Sequence, residues 1–169
     1  MTRSTILLGA AIFLTSCSGK KPPPPGAELQ SDAGAALLQT VIDQCPRVKD
    51  VRCWNLTVGE HMGAPDEGFR KRLKLPDIPY VPSNSIQVAV IKGRRTIFDS
   101  ETGASPLTLQ ISSLTLPKDG RQEGVAAWAW MDEAHRARYE MLARPGGGWD
   151  IRLIEEIPVA PVNTSEPPK

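Results

Sequence analysis

Two histidines, His61 and His135, are all the imidazole this chain offers. Acyl-transfer triads and histidine-held zinc sites need imidazole at a set spacing from a second reactive group. No nucleophile elbow, no glycine-rich phosphate loop and no paired-histidine motif accompanies them. Glu60 beside His61, and Asp132 beside Glu133, are adjacent acid and base candidates without a third partner. Gly146, Gly147 and Gly148 fall between two strand-like segments, where glycine supplies turn geometry rather than a phosphate cradle. The expectation is a protein that is not an enzyme, with no catalytic residue, no cofactor and no metal site. Charge of one sign is also lacking: once Arg3 is set aside with the N-terminal segment, 19 basic residues face 19 acidic ones. A nucleic-acid surface needs a basic excess or stripe, so no nucleic-acid partner is expected. Long apolar runs are absent as well. The longest at the N-terminus, Ile6 to Leu14, is nine residues, against roughly 20 for a membrane-spanning helix.

That run has the length of a signal-peptide core and follows the basic Arg3. It ends in Leu14-Thr15-Ser16-Cys17, an aliphatic residue, two small residues and a cysteine. This pattern resembles the lipobox of bacterial lipoproteins and covers only residues 1–18. The resemblance implies a signal peptide over 1–16, cleavage before Cys17, and a diacylglyceryl thioether and an acylated amine on Cys17 (a palmitate-type anchor). Three chains exceed the two signals that stable anchoring requires. Ser18 in place of aspartate implies transfer to the outer membrane, facing the periplasm. The other reading is an ordinary secretory signal with an incidental thiol.

Residues 17–28 read as the lipidated cysteine and a tether: Lys20 and Lys21, then four prolines. Polyproline II rises roughly 3.1 Å per residue, which makes this a semi-rigid spacer. The lysines sit where acidic head groups would attract them. Residues 29–158 are long enough for one domain with a core, and 159–169 form a proline-rich tail expected to be disordered.

Within the domain, Leu29, Ala33, Ala36, Leu37, Thr40, Val41 and Gln44 recur at helical spacing. They predict one long helix, capped by Ser31 or Asp32 and stopped by Pro46. Alternation then takes over. Trp54, Leu56 and Val58 share one predicted face, Ile86, Val88 and Val90 another, and "KGRR" turns into "TIF". Leu107, Leu109 and Ile111 give way to Leu114 and Leu116, a parity change that predicts a bulge at Ser112–Ser113. "GVAAWAWM" reads as a central strand covered on both faces, with "DEAH" and "RPGGG" as hairpin connections to two further strands. The fold class is therefore α+β: an N-terminal helix on an antiparallel sheet of about six strands ending in a three-strand meander. The order of elements looks like cystatin-like and nuclear-transport-factor-like folds, though no motif carries that likeness. A β-sandwich with one helix is the alternative.

Several residues could carry function. Cys45 and Cys53 are an even pair in an exported chain and predict a disulfide. On the chain-entropy account it would contribute about 2.6 kcal/mol. Pro76, Pro79 and Pro82, with Tyr80 among them, fall at the polyproline II period. They form either a rigid segment offered to a partner's aromatic groove or a stiffened loop lying on the sheet. Pro65, Asp66 and Glu67 followed by Arg70, Lys71 and Arg72 make a basic patch, or a short helix complementing its own dipole. Trp128 and Trp130 share a strand face that would either line a ligand cup or pack internally. "NLT" and "NTS" match glycosylation acceptors, a reading the lipobox outweighs. The expected function is a lipid-tethered accessory module that binds an envelope protein partner and helps assemble or stabilise an envelope complex. A periplasmic ligand-binding cup or enzyme inhibitor is the alternative.

Overall fold

Residues 26–75, 77–91 and 94–159 are described by a computed structural model. Residues 1–25, on which the expected signal peptide, Cys17 and most of the expected tether fall, together with Pro76, Lys92, Gly93 and residues 160–169, lie outside the described residues.

Helix α1, Asp32–Gln44, begins where Ser31 Oγ accepts from the Gly34 amide at 3.2 Å. Such a cap satisfies one of the first-turn donors that no helical carbonyl reaches. It ends at Cys45, whose ψ of 116° is the extended conformation that a following proline imposes. The buried stripe is broader than the expected face. Leu38 and Ile42 are buried with Leu37 and Val41, whereas Gln44 is exposed. The cause is a second layer on the outside of the helix. Short helix α2, Glu67–Lys71, and the residues after it run alongside α1: Arg72 pairs with Asp32, and the Lys74 amide donates to Gln39 Oε1 at 2.8 Å.

The main sheet has five strands in the order β1-β4-β5-β6-β7: β1 Trp54–Val58, β4 Leu107–Leu114, β5 Arg121–Trp130, β6 Glu133–Ala143 and β7 Trp149–Glu156. The molecule is α+β, with one main helix on a sheet and no closed barrel. Two details depart from the expected layout. First, β1 and β4 run parallel, Trp54 opposite Leu107 through Val58 opposite Ile111. The long connection between them makes this possible, since a tight hairpin cannot join parallel strands. Parallel strands are usually covered on both faces, and every residue of β1 is buried, not only Trp54, Leu56 and Val58. Second, β2 Ile86–Ile91 and β3 Arg94–Asp99 form a separate antiparallel pair. No second sheet of sandwich size exists among the described residues.

The C-terminal meander β5-β6-β7 is antiparallel as expected, and β4 shifts register between Ile111 and Ser113, the predicted bulge. The turn between β5 and β6 is only Met131 and Asp132, so Ala134 and His135 belong to strand β6 rather than to a connection. Strand β5 is central, but its two faces differ. Gln122, Gly124 and Ala126 are buried under α1, while Val125, Ala127 and Ala129 are only half-buried. At Gly124 a Cβ would stand 2.5 Å from Leu37 Cδ2, so this glycine sets how closely α1 approaches the sheet. The core lies between helix and sheet, with Leu37, Leu38, Leu56, Leu109, Tyr139 and Met141 among its most enclosed members.

Candidate interaction surfaces

The proline segment does not project. Its middle runs along the free side of β1: the Trp54 amide donates to Pro79 O at 3.1 Å, and the Val81 amide donates to Trp54 O at 2.8 Å. Asn55 Nδ2 adds a bond to Val81 O at 2.8 Å. Tyr80 lies against Trp54, ring centroids 4.8 Å apart, and the Arg70 guanidinium sits 4.3 Å from the Tyr80 centroid. Burial pushes the Tyr80 phenol above its ordinary pKa, opposed by the charge of Arg70. The ring that sequence offered to a partner is thus engaged within the domain, while Pro79 and Pro82 are exposed. The segment acts as an extra short strand sealing the sheet's first edge.

The acidic-then-basic stretch is a short helix of the expected dipole-complementing kind. Asp66 Oδ1 accepts from the Phe69 amide at 2.6 Å, and Lys71 pairs with Glu67 at 2.7 Å. Two of its three cations are turned to internal use, Arg70 over Tyr80 and Arg72 against Asp32.

Trp128 and Trp130 face the helix side and pack partly buried against the core. Each also has a polar neighbour against its ring. Trp128 stacks on His135 at 6.2 Å and 17°, and His135 Nε2 lies 3.4 Å from Glu156. Arg47 covers Trp130 at 5.7 Å and is held there by Glu133 Oε2, which accepts from Arg47 Nε at 2.8 Å. Glu133, weighed as an acid or base beside Asp132, is therefore one half of an ion pair. A groove of about 500 Å³ is lined by Ile42, Cys45, Val48, Lys49, Lys74 and Leu75, and one of about 340 Å³ by His135, Arg136, Glu156 and Ile157 among others. Neither is lined by Trp128 or Trp130. Glu60 and His61 are exposed. Among the described residues no three His, Cys, Asp or Glu side chains gather as a metal site would require.

Cys45 and Cys53 are free thiols, both buried, and not the expected disulfide. Cys45 belongs to the core under α1, with Arg47 and Glu133 as its nearest charges. Cys53 has the parity of Asn55, on the other face of β1, and feels Asp99 of β3. Strand β1 separates them. Burial pushes both thiols up, which keeps them in the unreactive protonated form.

Two exposed apolar surfaces were not legible from periodicity. One is the β2–β3 hairpin, where Val88 is 50% and Val90 59% exposed. Its base is closed where the Ser100 amide donates to Ser85 O at 2.8 Å, and just before it Asn55 Nδ2 of β1 donates to Ser83 Oγ at 3.2 Å. There Asp99 Oδ2 accepts from the Thr102 amide and hydroxyl, which holds the carboxyl below the usual range. The other is strand β7 at the sheet's second edge, with Leu153 52% and Ile154 47% exposed.

Protein-family models, curated proteins and solved structures, each searched for likeness to this chain, yield no match. No helix of the described residues is long and apolar enough to cross a membrane.

Proposed function

We propose that the chain is a lipid-anchored envelope protein, tethered through Cys17 to the outer membrane on its periplasmic side. Its domain acts there as a non-catalytic protein-protein accessory module. The observation that carries the binding role is the β2–β3 hairpin, which stands outside the five-stranded sheet and presents Val88 and Val90 to solvent. A two-stranded ribbon is marginal on its own, and half-exposed β-branched residues on one of its faces suit a surface that another protein completes. The lipobox and the proline-rich spacer support the location. The alternative, a ligand cup at Trp128 and Trp130, has less support because Arg47 and His135 occupy those rings.

Affinity capture from detergent-solubilised membranes tests the reading. The wild-type chain is expected to recover a stoichiometric envelope protein, and the Val88→Asp, Val90→Asp double variant to lose it while keeping its fold. Equal recovery by both, or recovery of nothing by wild type, contradicts the hairpin as the docking surface. Mass spectrometry of the N-terminal peptide tests the anchor, and an unmodified Cys17 thiol would end that part.

A further inference from the structure

The sheet's second edge, β7, carries a pattern that complements itself. Arg144 N–H donates to Gly148 O at 3.1 Å in the β6–β7 hairpin. Bonded and non-bonded pairs alternate along an antiparallel ladder. Counting from that bond through the Leu142–Asp150 and Glu140–Arg152 pairs, Asp150 and Arg152 turn their backbone groups inward to β6. Trp149, Ile151 and Leu153 turn theirs outward. Up to Leu153 the ladder is regular; the bulge opposite Arg138 and Tyr139 comes after it. The outward row thus offers N–H and C=O groups on three alternate residues, with no proline to interrupt it.

We infer that β7 pairs with β7 of a second copy of this chain, antiparallel about a two-fold axis centred on Ile151, joining the two five-stranded sheets edge to edge. A two-fold axis perpendicular to the sheet preserves its faces. It sets Ile151 against Ile151, Trp149 against Leu153 and Asp150 against Arg152, each of the last two pairs occurring twice. About six backbone hydrogen bonds would form. The helix-side face gains an apolar strip that covers the exposed Leu153, and the outer face gains two opposite-charge pairs. Opposite charges directly across a ladder stabilise it and like charges destabilise it, which selects this register. Moving the axis one residue earlier opposes Asp150 to Asp150, and one residue later opposes Arg152 to Arg152. Arg144 engages Oδ1 of Asp150, which leaves Oδ2 for a second guanidinium. This inference is independent of the hairpin and its partner.

The test uses the full chain solubilised in mild detergent. Ile151→Cys places a thiol on the axis and is expected to give a disulfide-linked dimer on oxidation. Leu153→Cys, about four residue spacings from its counterpart, or roughly 14 Å at strand rise, is expected to give little. The unsubstituted chain, with Cys45 and Cys53 buried, controls for the native thiols. No dimer from Ile151→Cys, or equal yields at the two positions, overturns the register. In sedimentation, Asp150→Arg is expected to weaken dimerisation roughly tenfold or more, and adding Arg152→Asp to restore it. A double variant as monomeric as the single one, or a wild type that stays monomeric, overturns the pairing.

Discussion

The two edges of the five-stranded sheet are treated differently. At β1 the segment Pro79–Val81 completes the backbone bonding of Trp54, and Tyr80 is clamped between Trp54 and Arg70. Beyond that segment the sheet is hard to extend, because Pro82, which has the outward parity, carries no N–H. At β7 no described segment covers the outward row, no proline interrupts it, and Leu153 and Ile154 are half exposed. An unprotected edge is a hazard unless something specific pairs with it. The difference teaches that proline in this chain works as edge protection, and that the end of the sheet without proline is where pairing can occur.

Changes at the two edges should therefore have opposite signatures. Tyr80→Ala removes the contacts to Trp54 and Arg70 and should cost about 2 to 3 kcal/mol of unfolding stability, read from the urea midpoint. It should leave self-association unchanged if the folded state is maintained. Leu153→Lys should do the reverse: unfolding stability of the dilute protein within about 0.5 kcal/mol of wild type, with dimer lost in sedimentation. A large stability loss from Leu153→Lys would mean that the Leu153 side chain is already packed within the monomer. The smallest effect is that of pH at Asp150. Arg144 holds its carboxyl below the ordinary carboxylate range, so its contribution is present above that range and is lost as pH falls through the depressed value. The stability difference between wild type and Asp150→Asn should shrink on acidification. A difference that grows would reverse the assigned sign.

Much of the scaffold was legible because each element carries its own local signal. Ser31 and Pro46 bracket α1, the parity change after Ile111 marks the β4 bulge, and the short polar connections mark the meander. What was not legible depends on what lies across from a residue. Ile86, Val88 and Val90 alternate as a core strand does, and periodicity cannot tell that the face they define meets solvent. The width of the α1 stripe depends on α2 lying along it, a tertiary contact with no local mark. Cys45 and Cys53 are eight positions apart in sequence, yet Cys45 joins the main core while Cys53 has the parity of Asn55 and senses Asp99. For the candidate surfaces the residues are legible in the sequence but their use is not: Tyr80 and the tryptophans fit either outside contact or internal packing, and in the structure they meet Arg70, His135 and Arg47. From sequence β7 is only the last strand of a meander, since self-complementarity appears once the inward and outward rows are known.

Residue-resolved amide hydrogen exchange over a range of protein concentrations tests the contrast between the edges most directly. The Val81 and Trp54 amides, bonded within one chain, should be protected equally at every concentration. The Ile151 amide should exchange freely when dilute and become protected as concentration rises. An Ile151 amide that stays unprotected at all concentrations, or one already protected in the monomer, would contradict the assignment of β7 as the open, self-pairing edge.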